Sequence, residues 1–247
     1  MAPPVLVLAP GAWHTPYAYH KIIPRLEGKG FTCDTISFPS VFASPPPQDL
    51  NADIQAVRKV ITPYVNEGRD VTIVVHSWSG AVVNSALKGL DQAARLKEGK
   101  TGGVSKLIFI AAFLVPEGVS VFDALGGEVP SLWNTQGDVI YANAPITAFY
   151  NDLEPDEAQR YASLLKPHAK ATKYTKTTGE AWKHIPSVYL ICDNDNAFPP
   201  FAQKGMVNIA QNEGANMKTE RINTSHSPFL SKPDEVSDFI IRHVNES

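Results

Sequence analysis

Residues 70–81 read Asp70-Val71-Thr72-Ile73-Val74-Val75-His76-Ser77-Trp78-Ser79-Gly80-Ala81. The β-branched run from Val71 to Val75 suits a strand buried on both faces, as in a parallel sheet. A polar turn follows at once, and Ala81-Val82-Val83-Asn84-Ser85-Ala86-Leu87 reads as a helix. Ser77 therefore falls between a strand end and a helix start. That is the position of a nucleophile elbow, a strained turn that exposes Oγ and aims the following backbone N–H groups at a developing oxyanion. The spacing departs from G-x-S-x-G, with Val75 and Ser79 at the two small-residue places. A second register centres on Ser79, between Ser77 and Ala81. Ser77 is favoured because it directly follows the buried run and its His. It also leaves Gly80 in the first helical turn, where a missing side chain eases packing on the strand.

Outward from this stretch, strands and helices alternate. Val5 to Ala9 is a first strand, and Pro10-Gly11-Ala12-Trp13-His14 a turn. Thr15-Pro16 opens a helix expected to run to Glu27. Phe31 to Phe38 reads as a strand, Asp49 to Val65 as a helix, Asp91 to Gly103 as an exposed polar loop and Val104 to Phe113 as a buried strand. The alternation stops between residues 114 and 182, where one helix, Glu154 to Leu165, stands among scattered aromatics. It resumes with a strand Ser187 to Cys192, a helix Pro200 to Asn212, a strand Met217 to Ile222 and a helix Pro233 to Val244. The expected fold is α/β: a mainly parallel sheet of about six strands with helices on both faces, because parallel crossovers need long, usually helical connections. The core is residues 1–113 and 183–247, and 114–182 is a cap insertion over the crevice at the strand carboxyl ends.

The 247 residues carry a formal net charge of -3 and two cysteines. No Lys/Arg cluster is interleaved with aromatics, which argues against nucleic acid as a partner. Cys33 and Cys192 lie in apolar strand-like runs and read as buried free thiols, with no disulfide framework or zinc spacing. The amino-terminal run lacks a basic segment and is too short for a secretory signal or a membrane span. A cytoplasmic enzyme acting on a small molecule without membrane contact is expected, with a homodimer as its candidate assembly.

A nucleophilic Ser needs a base and a carboxylate to orient that base, each on a loop after a strand. The loop Asp193-Asn194-Asp195-Asn196-Ala197-Phe198-Pro199 offers two carboxylates. The loop Asn223-Thr224-Ser225-His226-Ser227-Pro228-Phe229 offers His226, read as exposed at that edge between turn formers. Ser, Asp and His in that chain order, each after a different strand of one sheet, is the α/β-hydrolase arrangement. The oxyanion donors would be the N–H of Trp78 and an N–H of the first loop, at Ala12. Trp13 and Trp78 would wall the pocket, with His14 bracing the oxyanion loop. Phe122, Leu125, Leu132, Trp133, Phe149 and Tyr150 could face the same crevice. Of the other histidines, His76 is read as pointing to the core, and His20, His168, His184 and His243 as lying in helical or surface contexts. None has metal-ligand spacing, so no metal or organic cofactor is expected.

Pro10-Gly11-Ala12-Trp13-His14, the His76-Ser77-Trp78-Ser79-Gly80 elbow, the Asp193-Asn194-Asp195 loop and His226-Ser227-Pro228-Phe229-Leu230 lie in register with one family. The chain resembles the small capped α/β-hydrolases that include plant methyl ester esterases and hydroxynitrile lyases, and more closely their microbial and fungal hydrolase relatives. The resemblance covers almost the whole length. It implies that the acid is the second Asp of the loop, Asp195, four residues before Pro199, with Asp193 the runner-up. It implies a catalytic set of Ser77, Asp195 and His226 cleaving a carboxylic ester or lactone of a small apolar or aromatic substrate. Pro10, Val75 and Ser79 depart from the family pattern. Ser227 stands where plant hydroxynitrile lyases carry Lys, which disfavours a lyase. A receptor on the same fold is the alternative from another class.

Overall fold

A computed structural model describes residues 3–245. Its main sheet has six parallel strands: β1 (Val5–Ala9), β2 (Thr32–Thr35), β3 (Asp70–His76), β4 (Gly103–Ile110), β8 (Ser187–Cys192) and β9 (Met217–Ile222), in the order β2-β1-β3-β4-β8-β9. The interior strands are the apolar ones. All of β1 is fully buried, as are Val71 and Ile73 to Val75 of β3. Thr32-Cys33-Asp34-Thr35 and Met217-Lys218-Thr219-Glu220-Arg221-Ile222 are polar and form the edges, where charge blunts further strand addition. Helix Asn51–Asn66 packs on helix Ser79–Ala86, and Ile23–Glu27 on Pro233–Asn245.

The topology places the elbow. The chain steps from β1 outward to β2, then returns to β3 and proceeds the other way, so the order reverses between β1 and β3. Open α/β sheets bind ligands at such a switch point. Ala9 pairs with Val75, which sets the turn after β1 beside the turn after β3. Gly11 makes that approach possible: a Cβ there would lie 2.8 Å from His76 Nδ1 and 3.0 Å from Ser77 Cβ.

The segment between β4 and β8 holds an antiparallel sheet of β5 (Trp133–Gln136), β6 (Val139–Ala142) and β7 (His168–Ala169), with short helices. It rests on the turns at the strand carboxyl ends. Trp13 Nε1 donates to Ile140 O at 2.8 Å and Lys166 N to Trp13 O at 2.9 Å. Ser225 N donates to Asp152 Oδ2 at 2.8 Å, and Ser225 Oγ to Phe149 O at 3.0 Å.

Several elements differ from the sequence reading. The helix expected from Thr15 to Glu27 is a 3-10 turn, Pro16–Tyr19, followed by Ile23–Glu27. The supposed loop 91–103 contains a helix, Gln92–Lys97, capped by the Asp91 side chain. Its Arg95 is buried and donates to Val65 O at 2.7 Å and Gly102 O at 2.9 Å, so a polar residue docks the segment. Cys192 is buried but Cys33, on the edge strand, is only half-buried; both are free thiols. Among the described residues no helix is long and apolar enough to cross a membrane.

Candidate active site

Ser77 sits at φ 54°, a left-handed conformation that costs an ordinary residue on the order of 1–2 kcal/mol. The strain is held from three sides. Ser77 N donates to Ile110 O, and Ser77 O accepts from Gly80 N at 3.1 Å and Phe113 N at 3.0 Å. Gly80 permits the last contact, since a Cβ there would meet Phe113 O at 2.0 Å. Ser79, the rival nucleophile, is fully buried. Its Oγ accepts from His76 N at 3.1 Å and lies 3.0 Å from Ala9 O and 2.8 Å from His76 O, bound up in backbone.

Ser77, His226 and Asp195 form one hydrogen-bonded series. His226 Nε2 lies 2.9 Å from Ser77 Oγ, and His226 Nδ1 lies 2.6 Å from Asp195 Oδ2. Asp195 Oδ1 accepts from Ala197 N at 2.8 Å and Phe198 N at 2.7 Å, while Gln203 Nε2 donates to Oδ2 at 3.0 Å. Asp193 is turned away, in a surface pair with Arg221. His226 is 2 % exposed rather than lying at an open edge, because the β4–β8 segment binds Ser225 beside it.

Two further histidines crowd this series. His76 Nε2 lies 2.9 Å from His226 O, and His14 Nδ1 lies 2.7 Å from Ala12 O with its Nε2 2.8 Å from the Tyr150 hydroxyl. Burial, with the neighbouring His226, lowers His14 to about 4 and holds His76 well below the ordinary imidazole range. Both are neutral near pH 7, so neither adds positive charge beside His226. The N–H groups of Ala12 and Trp78 have no protein acceptor among the described residues, as oxyanion donors require.

A model described as "Alpha/beta hydrolase family" matches residues 6–239. The chain belongs to the alpha/beta hydrolase family. Among its relatives, the alpha/beta hydrolase nvfD of Aspergillus novofumigatus (strain IBT 16806) is 34% identical over 252 aligned positions, covering 100% of this chain and 99% of that protein. Methylesterase 1 of Arabidopsis thaliana is 22% identical, covering 96% and 94%. The crystal structure of a pyrethroid hydrolase from Sphingobium faniae JZ-2 superposes with a TM-score of 0.76 at 18% identity, covering 98% of this chain and 97% of that one. The six-stranded sheet and its flanking helices are thus the alpha/beta hydrolase fold.

The anticipated pocket residues of this hydrolase divide. Phe149 adjoins His226 at 5.6 Å, ring centre to ring centre, and Trp13 at 5.7 Å and His14 at 5.3 Å pack against Phe149 in turn. Tyr150 reaches the same place through His14. Trp133 stands farther out, against Tyr174, and Phe122 packs on Tyr174 at 4.6 Å. Leu125 and Leu132 are half-buried packing residues. His168, read as a helical or surface histidine, is buried in β7; His243 lies in helix Pro233–Asn245 as read, on its buried face. Among the described residues no group of three or more His, Cys, Asp or Glu is arranged to hold a metal ion.

Four further residues shape the surroundings of these sites. Gln203 holds the Asp195 loop, also donating to Phe198 O at 2.6 Å; its signal was a polar residue in register with Val207 and Ala210 on the buried helix stripe. Ser40, Asp53 and Lys173 are buried: Lys173 lies against Trp78, as does His168, and Ser40 bonds both His168 and Asp53; no local pattern marks them.

Proposed function

We propose that this alpha/beta hydrolase is a serine esterase or lactonase acting on a small apolar or aromatic substrate, with residues 114–182 as its cap. The series from Ser77 through His226 to Asp195 carries the reading. Ser77 Oγ attacks the substrate carbonyl carbon and its proton passes to His226 Nε2. Asp195, its Oδ1 satisfied by two backbone N–H groups, fixes the imidazole and stabilises its cation. The oxyanion sits between the N–H groups of Trp78 and Ala12. Collapse breaks the bond to the alcohol oxygen, which takes the proton from His226. Water then repeats the sequence on the acyl-enzyme and releases the acid. Relatives named as methylesterases, and Phe149 against His226 with Trp13 packed on it, support an ester with a compact apolar part.

The test is stoichiometric labelling of Ser77 by a fluorophosphonate, alongside hydrolysis of a panel of short acyl esters and lactones. A Ser77→Ala protein with full activity on that panel would refute the reading. Tight ligand binding with neither turnover nor labelling would assign a receptor instead.

A further inference from the structure

Against Trp78 lies a buried polar cluster that the proposed reaction does not use. Lys173 is 2 % exposed, and its Nζ stands 4.9 Å from the ring centres of both Trp13 and Trp78 and 5.9 Å from that of Trp133. Among the described residues no oxygen acceptor or carboxylate lies within hydrogen-bond or ion-pair distance of that nitrogen. Around it, Trp78 Nε1, His168 Nδ1 and Asp53 Oδ2 are buried with no hydrogen-bond partner. Indole faces attract a cation but do not accept its hydrogen bonds. An ammonium buried without an oxygen partner is costly, and such groups cluster at binding and catalytic sites.

We propose that Lys173 recognises an anion: the acyl part of the substrate carries a carboxylate that pairs with this ammonium between Trp13 and Trp78. The proposal rests on the serine esterase reading and narrows its substrate class. Chemistry sets the direction. The leaving alcohol must receive its proton from His226 Nε2, so the alcohol side lies with His226 and Phe149. The Trp78 ring instead packs on Phe38 at 5.3 Å, on His168 at 4.4 Å and under Lys173. The acyl chain leaves Ser77 along the indoles, toward Nζ. Lys173 and Trp133 come from the segment 114–182, and Trp13 and Trp78 from the strand turns, so the carboxylate would sit in the seam between them. Burial depresses the Lys173 ammonium well below its ordinary range, with nearby Asp53 opposing. A substrate carboxylate at bonding distance restores the charge and supplies the missing acceptor.

The test compares the 4-nitrophenyl half esters of adipic, pimelic and suberic acids with their methyl diesters, which keep the skeleton and lose the charge. These chains are too long for ready self-cleavage through a cyclic anhydride. The wild-type protein is expected to favour the best half ester at least ten-fold in kcat/KM, through KM. Lys173→Met and Lys173→Gln should collapse that ratio toward one, and Lys173→Arg should restore most of it. A wild-type ratio near one at every length, or a ratio that survives in either neutral variant, overturns the proposal. A second readout needs no change at Lys173. In Ser77→Ala protein, the Lys173 side-chain 15N resonance should move on adding the adipate half ester and stay in place with the diester; equal response to both overturns the inference. Because this readout is binding alone, it stands apart from the esterase reading, which fails if neither ester is hydrolysed and Ser77 resists labelling.

Discussion

Two buried clusters in this protein contain a Ser, a His and an Asp, and they are wired differently. In Ser77, His226 and Asp195 the imidazole is in the middle, one nitrogen on the hydroxyl and the other on the carboxylate. In Ser40, His168 and Asp53 the serine is in the middle. Ser40 N donates to Asp53 Oδ1 at 2.9 Å and Ser40 Oγ lies 3.0 Å from His168 Nε2, leaving His168 Nδ1 and Asp53 Oδ2 without partners. A proton taken from Ser40 would create an imidazolium with no carboxylate to hold it, and burial already keeps His168 well below the ordinary imidazole range. Only the first wiring supports nucleophilic catalysis. Residue type is shared; the order of hydrogen bonds is not.

The sharpest way to break this contrast is to remove each hydroxyl. Ser77→Ala should lower kcat on a short acyl ester by roughly 10⁵–10⁶-fold, whereas Ser40→Ala should change it by no more than a few-fold; comparable losses would erase the distinction. Next, Asp195→Asn should cost about 10⁴-fold in kcat with folding intact, since the wrong imidazole tautomer is then favoured. Steady-state kinetics beside circular dichroism measures both.

Two buried titratable groups, Asp53 and His14, differ in their effect on stability. Burial pushes Asp53 up from 3.8 to about 6, so the folded state holds a proton there that the unfolded chain has lost. This group's contribution is fully present below pH 3.8 and declines as pH rises to about 6, by up to about 3 kcal/mol. Asp53→Asn should abolish that decline, and urea midpoints of both proteins at pH 4 and pH 7 would show the variant gaining on wild type with rising pH. His14 runs in the opposite direction beside the first cluster. Lowered from 6.5 to about 4 by burial, it contributes stability above pH 6.5 that is lost as pH falls through about 4, roughly 3 kcal/mol in full. His14→Gln should flatten the acid limb; an unchanged limb would show that this imidazole is not held neutral. The smallest expected effect is at Gln203. Gln203→Leu strips donors from Asp195 Oδ2 and Phe198 O and should cost about 1–3 kcal/mol in a denaturant titration.

Much of the molecule was legible along the chain. Val71 to Val75 marked a two-sided buried strand because parallel strands between helix layers tolerate no polar face. Ser77, Asp195 and His226 could each be placed after a strand, since turns at strand ends carry their own residue signatures. Arg95 was not legible: a helix docked by a buried guanidinium looks, in one dimension, like a charged loop. Nor was the burial of His226, which depends on Phe149 and Asp152, some 75 residues away in the chain, closing over Ser225.

The alternation of strands and helices and the chain order of the three residues could be read in one dimension, because both are written in local periodicity and turn chemistry. Only the tertiary structure shows that Ser77 rather than Ser79, and Asp195 rather than Asp193, is hydrogen-bonded to His226, and that two clusters of the same composition are wired differently. Hydrogen-bond order and burial depend on which distant segments meet, and the insertion that brings Lys173 between Trp13 and Trp78 announces that meeting in no local pattern.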